Sequence, residues 1–151
     1  MDIEKLPFRK EVTAYIVNEN KEFIVVFSSF ANRFCKTPAG GVEENEPSDK
    51  AILREIKEEL NLDIEIIAKS KIEYRWEHEK ERIIERNLKF RGSTGEIFLA
   101  KISPPNQEIK IQEEEISGYK WIKKEEVNNY FTTDTLKETA RKIFEEFKEY
   151  F

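Results

Sequence analysis

A single cysteine, Cys35, and a single histidine, His78, stand in a chain of 151 residues, and their scarcity closes off several chemistries. An internal disulfide is excluded, which fits a reducing cytoplasm. Cys35 has no histidine near it in sequence to form a nucleophilic dyad, so a small packed side chain is its expected role. His78 lies in a charged stretch with no second ligand at metal-binding spacing and reads as solvated. No apolar run reaches the roughly 18 residues of a membrane span. The start, MDIEKLPFRK, lacks the apolar stretch of a signal peptide, so neither secretion nor membrane spanning is expected. Repeats, low-complexity tracts and linkers are absent as well.

Charge is what the chain has in quantity: 38% of residues are charged, with a net charge of −5. That balance argues against a nonspecific nucleic-acid coat and against binding to an anionic membrane surface. It leaves room for an anionic substrate wherever a metal and a local basic patch offset the repulsion. Hydrophobic residues at 38%, including 11 phenylalanines, suffice for one packed core, so residues 1–151 are expected to form a single domain. Composition leaves monomer and homodimer both open.

Patterning supplies the elements. Residues 11–18 and 22–28 are β-branched and aromatic runs split by Asn-Glu-Asn-Lys, which predicts a hairpin. A loop is predicted over 29–37, a turn over 38–41, and a helix from about Pro47, with Asn45, Ser48 and Asp49 nearby as caps. Residues 63–74 predict a strand, and the almost wholly charged 75–87 a hairpin tip or mobile loop. Residues 89–102 predict a strand in which Gly92 and Gly95 mark a bulge or close approach. Short strands at 108–111 and 119–122, a helical turn at 124–130 and an amphipathic helix from 134 to about 150 complete an α/β chain with a mixed sheet.

The chemistry concentrates in GGVEENEPSDKAILREIKEELNL, from Gly40 to Leu62. At about 100° per residue, Glu55, Glu58 and Glu59 share an arc of roughly 100° on the predicted helix. Ile52, Ile56 and Leu60 occupy another arc, so the carboxylates are expected to stay wet beside a buried stripe. Carboxylates at this spacing repel by about 0.2–0.5 kcal/mol per pair unless a cation joins them. Clustered hard oxygens suit Mg²⁺, which takes a few carboxylates, keeps some waters and completes its shell with substrate phosphates.

This stretch resembles the Nudix box: a glycine, five residues, a glutamate, seven residues, then Arg-Glu-apolar-x-Glu-Glu-x-Gly-apolar. Gly40, Glu46, Arg54, Glu55, Ile56, Glu58, Glu59 and Leu62 fill the pattern, and Asn61 stands at the closing glycine. Asn is the next best residue at a left-handed helix end, so the turn is expected to survive. The resemblance implies a Nudix α/β/α sandwich with a mixed β-sheet. It also implies a hydrolase that cleaves a nucleoside diphosphate linked to another moiety, by water attack on phosphorus with Mg²⁺ or Mn²⁺. It implies Glu55, Glu58 and Glu59 as metal ligands, with Gly40 and Gly41 letting backbone approach the metal–phosphate site. Arg54 and Glu46 become supports of that site. The base for the attacking water is either a box glutamate or a member of the acidic run Glu113-Glu114-Glu115, with Glu115 preferred to Glu114.

Outside the box, Phe8-Arg9-Lys10, Phe34, Phe90-Arg91-Gly92 before Ile97-Phe98-Leu99, and Glu115-Ile116-Ser117-Gly118-Tyr119-Lys120-Trp121 are similar in order and spacing to one branch of the family. That branch comprises bacterial RNA 5′-pyrophosphohydrolases and plant-type dinucleoside tetraphosphate hydrolases. Its Tyr-Arg-Gly-Gln stretch reads Phe90-Arg91-Gly92-Ser93 here, and its Trp-Gln-x-Pro-Gln-Gly-Gly loop reads Phe34-Cys35-Lys36-Thr37-Pro38-Ala39-Gly40-Gly41. The branch implies a dinucleoside polyphosphate such as diadenosine tetraphosphate, or a 5′-triphosphorylated RNA end, as substrate. A hydrolase of nucleoside triphosphates or ADP-ribose is the alternative, although ADP-ribose hydrolases commonly carry a proline after the box and residues 62–103 contain none. A non-catalytic nucleotide sensor would usually lose box glutamates that this chain keeps. Arg9, Lys36 and Arg91 are the foremost candidates for phosphate contacts, ahead of Arg75, Arg82, Arg86 and Lys89. Tyr74 or Trp76 is the candidate for stacking a base.

Overall fold

The computed structural model describes residues 2–29 and 34–151, so the middle of the predicted 29–37 loop lies outside the described residues. Its strands are β1 (Phe8–Val17), β2 (Phe23–Ser28), β3 (Cys35–Lys36), β4 (Ala39–Gly41), β5 (Ile64–Glu77), β6 (Gly92–Ile102) and β7 (Ile116–Ile122). Its α-helices are α1 (Ser48–Leu60), α2 (Lys80–Arg86), α3 (Val127–Tyr130) and α4 (Asp134–Glu146). The sheet order is β3-β2-β1-β6-β5, with β4 on β1 and β7 on β2. The sheet is mixed because β1 runs parallel to β6, while its other edge meets β4 near Val12 and β2 at Val17, both antiparallel.

Period-two alternation along β1 divides the core. Val12, Ala14 and Ile16 face α1 and pack with Ile52, Ile56 and Leu60. Tyr15 and Val17 face the other way and pack with Ala140 and Ile143 of α4 and with Phe23 and Phe131. A strand covered on both faces is buried throughout, as β1 is from Val12 to Val17, and Thr13 within that run is hydrogen-bonded to Thr37 and to the Pro38 carbonyl. The far end of α4 is tied to β5, where Glu146 accepts from the Ser70 hydroxyl at 2.5 Å and the Lys71 N–H at 3.0 Å. Among the described residues, no helix is long and apolar enough to cross a membrane.

Four expectations from the sequence change. The predicted 29–37 loop contains β3, and β4 replaces the predicted turn at 38–41, each strand formed by pairing with a neighbour, β2 and β1. The charged stretch 75–87 extends β5 to Glu77 and then forms α2. That helix turns a single apolar side chain, Ile83, into full burial and ends on Asn87 in the left-handed conformation. With only one buried position, α2 carries too little periodicity to be read as a helix. The strand expected at 108–111 does not form. Ile109 and Ile111 do pack on the α1 core, but the neighbouring N–H groups serve a helix end: Lys110 donates to the Leu60 carbonyl and Gln112 to the Glu59 carbonyl, both at 3.0 Å. Alternating burial here marks an extended segment laid across α1, where it satisfies two otherwise orphaned carbonyls.

Asn61 closes α1 in the left-handed conformation, φ 56° and ψ 35°, with its N–H on the Lys57 carbonyl. The asparagine Cβ already crowds the adjoining carbonyl there, and its short polar side chain offsets that by local hydrogen bonding. An alanine keeps the crowding and loses the compensation, while a glycine removes the Cβ. Asn61→Ala is therefore expected to lower the unfolding free energy in urea by about 1 kcal/mol, while Asn61→Gly does not. An alanine variant as stable as the parent would remove this account of the helix end.

Candidate active site

Arg54, in the second turn of α1, organises the loop that enters the helix. Its Nε donates to Glu46 Oε2 at 2.8 Å, and Nη2 donates to Glu46 Oε1 and to the Gly41 carbonyl, each at 2.9 Å. Nη1 donates to Glu55 Oε1 at 2.8 Å and reaches Glu58 at 3.3 Å. The hydrogen bonds from Arg54, helped by the Glu43 N–H, hold the Glu46 carboxyl down at about 2. The guanidinium is held charged in return, chiefly by Glu46 and then by Glu55. Only a planar fork with five donors can serve β4, the loop and two turns of the helix at once.

Glu59 departs from the sequence expectation. It was expected on a wet arc with Glu55 and Glu58, yet it is 3% exposed. On the helical wheel it lies only about 20° from Ile52, at the edge of the buried stripe. Lys36 and Ala39 approach it from the β3–β4 segment, and Glu115 from the turn before β7. One of its oxygens, Oε2, is buried with no hydrogen-bond partner. Burial pushes its pKa up to about 8; Lys36 and the Ala39 N–H pull it down, while Glu115 and Glu55 raise it further. Glu55 is raised as well, first by burial and also by Glu58 and Glu115, against the pull of Arg54. Carboxylates from α1 and Glu115 thus share one small volume with too little positive charge.

That arrangement fits a hard divalent cation. An orphaned buried acceptor costs on the order of 1–3 kcal/mol, and a ligand is what offsets it. At Gly40 an added Cβ would stand 1.9 Å from the Glu55 carboxyl carbon, so the backbone and the carboxylate meet only because the residue is glycine. Among the described residues, no three acidic, histidine or cysteine side chains close a metal shell by themselves. Glu58 explains part of this: it is exposed and leans toward Arg54. Mg²⁺ tolerates such an open set, since it takes much of its shell from water and phosphate.

Past Lys36 and Ala39 opens a cleft of about 670 Å³. Its floor is a row across four strands, Gly41, Glu11, Gly95 and Tyr74, set by the pairing of β4, β1, β6 and β5. The Tyr74 hydroxyl donates to Glu11 Oε1, and its ring lies so close to Gly95 that a Cβ would be 2.0 Å from it. The next row on the same face is Arg9, Ser93 and Trp76. The Arg9 guanidinium lies over Gly41, where a Cβ would come within 2.3 Å of it. Arg82 of α2 and Thr135, Leu136 and Thr139 of α4 form the remaining wall.

The structure places Gly40 and the box glutamates on the α1 face of the sheet and Arg9, Gly41 and Tyr74 on the opposite face, where the cleft opens. Lys36 joins the two, lining the cleft and acting on Glu59, which Glu115 also approaches. Arg91 does not line the cleft: it pairs with Glu77, donates to the Glu4 carbonyl at 3.4 Å and lies over the Phe8 ring at 5.5 Å. Arg75 stacks on the same ring at 4.0 Å. Cys35 is buried, which pushes its thiol up to about 11. Sequence reasoning missed Glu11 entirely. The signal was present, since a lone carboxylate at the odd positions 9, 11, 13 and 15 of β1 faces the cleft and not a core.

Comparison with known proteins agrees with this geometry. The NUDIX domain profile matches residues 7–147. An RNA pyrophosphohydrolase of a Nitratiruptor species is 28% identical over 99% of this chain and 96% of its own length. One from Orientia tsutsugamushi (strain Boryong) is 32% identical over 82% of this chain and 80% of its own. In structure, the chain is similar in fold to a C. elegans Ap4A hydrolase, with TM-score 0.69 at 20% identity over 93% of this chain and 99% of the other.

Burial of Glu59 has a pH signature in protein freed of divalent ions. Its folded pKa of about 8 lies above its ordinary value of 4.5, so between these values the folded state holds the proton more tightly than the unfolded one. The resulting stability is complete below pH 4.5 and is lost as pH rises to about 8, on the order of a few kcal/mol. Glu46, whose carboxyl is lowered, titrates below this window, and His78, also lowered, acts in the opposite direction below 6.5. In EDTA the melting temperature is expected to fall from pH 5 to pH 8, and Glu59→Gln to flatten that fall. Parallel pH profiles for the two proteins would contradict the assignment.

Proposed function

The chain belongs to the Nudix family, and from that membership we propose that it is a Mg²⁺-dependent pyrophosphohydrolase acting on a nucleotide polyphosphate, with a 5′-triphosphorylated RNA end as its substrate. The observation that carries the reading is the buried Glu59 carboxylate, unpartnered at Oε2 beside Glu55 and Glu115, at the edge of a cleft with Arg9 and Lys36. The RNA end is favoured over a dinucleoside polyphosphate because relatives matched over 99% and 82% of the chain are named RNA pyrophosphohydrolases. Residues 1–151 are taken as one catalytic domain, supported by two cores that share a single sheet.

In this proposal Glu55, Glu58, Glu59 and the backbone at Gly40 hold the metal. When bound, Mg²⁺ supplies neutralisation of the phosphoanhydride charge and acidifies water. Everything else belongs to the chain. Arg54 holds Glu55 by one oxygen and leaves the other toward Gly40. Arg9 and Lys36 bind and orient the phosphates as charged donors. Glu115 takes the proton of the attacking water, whose oxygen bonds to phosphorus as the bridging P–O bond breaks and the departing phosphate carries away the electron pair. Tyr74, locked to Glu11, keeps the cleft floor rigid. Arg91 supports the β5–β6 edge through Glu77.

Product analysis with Mg²⁺ tests this directly, using triphosphorylated RNA, diadenosine tetraphosphate, deoxynucleoside triphosphates and ADP-ribose. The expected result is monophosphorylated RNA, with Mg²⁺-dependent turnover abolished in Glu59→Gln and kcat lowered roughly 10²–10⁴-fold in Glu115→Gln. Preference for diadenosine tetraphosphate would move the protein to the other arm of its branch. Turnover of mononucleotides or ADP-ribose alone would keep the box chemistry and overturn the substrate. Nucleotide binding without hydrolysis would mean a sensor.

A further inference from the structure

Resting on that reading, we propose that Thr13 of β1 is a positioning residue for the metal site: its hydroxyl fixes the Pro38–Ala39 peptide group, and that group aims the Ala39 N–H at Glu59. The device is built from buried polar atoms of β1 and of the segment between β3 and β4. Thr13 and Thr37 are 5% and 4% exposed, and their hydroxyl oxygens lie 2.6 Å apart. Thr13 Oγ1 also donates to the Pro38 carbonyl at 2.8 Å. A hydroxyl has one hydrogen to give and a carbonyl has none, so the order of protons is fixed. Thr37 donates to Thr13, and Thr13 donates to Pro38. Thr13 lines the cleft, yet its hydrogen is committed to Pro38 and leaves it no donor for a phosphate.

The strand pairing carries this order to the box. The Ala14 N–H donates to the Pro38 carbonyl at 3.2 Å, and the Val42 N–H to the Lys10 carbonyl at 3.0 Å. Antiparallel pairs alternate, so Thr13 and Ala39 oppose each other without ladder bonds, and the Ala39 N–H points away from β1. A proline has no N–H, so the pair of Ala14 with Pro38 lacks its second ladder bond, and the Thr13 hydroxyl stands in for it. The Pro38 carbonyl and the Ala39 N–H are opposite ends of one planar trans peptide. Holding the carbonyl with two donors therefore sets the direction of the N–H. That N–H acts on the Glu59 carboxylate, whose Oε2 has no partner and is left for a ligand. Lys36, the cation acting on Glu59, directly precedes Thr37, so the same chain of hydroxyls holds its backbone.

Thr13→Val keeps the volume and removes the hydroxyl, whereas Thr13→Ser keeps the hydroxyl. With Mn²⁺ as the probe, followed by electron paramagnetic resonance, Thr13→Val is expected to bind the ion roughly tenfold or more weakly, the usual loss when a support behind a metal ligand is removed. Thr13→Ser is expected to bind it as the parent does. A second readout needs no metal: in EDTA, the Ala39 amide proton of ¹⁵N-labelled protein is expected to move upfield in Thr13→Val and in Glu59→Gln, and to stay in place in Thr13→Ser. In turnover, Thr13→Val is expected to need more Mg²⁺, with KM for triphosphorylated RNA little changed once Mg²⁺ is saturating. If Thr13→Val does not fold, the Ala39 proton decides, and one that ignores Glu59→Gln overturns the proposal. Parent-like Mn²⁺ affinity in Thr13→Val, or Thr13→Ser as weak as Thr13→Val, overturns the positioning and spares the pyrophosphohydrolase. Weakened Mn²⁺ binding restored by serine, in a protein that hydrolyses nothing, would do the reverse.

Discussion

One guanidinium governs this structure. Around Arg54 stand Glu43 at 3.9 Å, Glu46, Glu55 and Glu58, four negative charges to its one positive. It cannot neutralise them all, and the division it makes sets up the site. Glu46 takes two of its donors, is held fully ionised and fixes the loop. The Gly41 carbonyl takes a share of the same fork, tying the end of β4 to α1. Glu55 takes a single bond and keeps its other oxygen toward Gly40. A lysine could offer the charge but not this split, because a compact ammonium cannot reach a strand carbonyl and two carboxylates in one plane.

Glu59 receives none of this help. Among the described residues the cation acting on it is Lys36, and its neighbours Glu55 and Glu115 oppose its ionisation. A carboxylate so buried is unfavourable for the empty protein, and local order must come from elsewhere to keep it in place. It comes from the extended segment after β6. Lys110 and Gln112 donate to the carbonyls of Leu60 and Glu59, and Ser29 donates to the Glu113 and Glu115 carbonyls from β2's end. The segment that carries Glu115 is thereby bonded both to the helix carrying Glu55 and Glu59 and to the strand paired with β7. Proposed ligand and proposed base are held on one rigid support, which is what a reaction sensitive to misplacement requires.

Much of this was legible in the sequence, for reasons that differ by element. β1, β2, β6 and α4 announce themselves through side-chain period, and the box through its spacing of charges. The burial of Glu59 was hidden because helix periodicity describes only the helix: at the margin of the apolar stripe, the outcome depends on what packs alongside, here β3–β4 and the turn at 112–115. The segment 108–111 shows strand-like alternation, yet its N–H groups go to a helix terminus, and no local pattern distinguishes one acceptor from another. In α2 a single buried isoleucine among charges defeats any moment-based reading. Glu11 was passed over because a charged residue within a strand reads as solvent-facing, whereas here the face it occupies is the floor of a cleft.

The parts least legible are the parts proposed to hold the substrate, and the topology explains why. The box is contiguous because its proposed ligands come from one helix and the turn before it, so that part is written along the chain. The cleft is written across it: Arg9, Ser93 and Trp76 form one row only because β1 pairs in parallel with β6 and β6 antiparallel with β5. Arg82 and the α4 threonines enter from still other segments. A change of register by one residue at the far end of β5 would turn Tyr74 and Trp76 to the opposite face while leaving the pairing of β4 with β1 unchanged. The box and the cleft are thus physically separable in this fold, joined through Lys36, which both lines the cleft and acts on Glu59, and through Arg9, seated over Gly41. In the proposed reading, substitutions at the far rows alter how a nucleotide is held, and those two cations present it to the carboxylates.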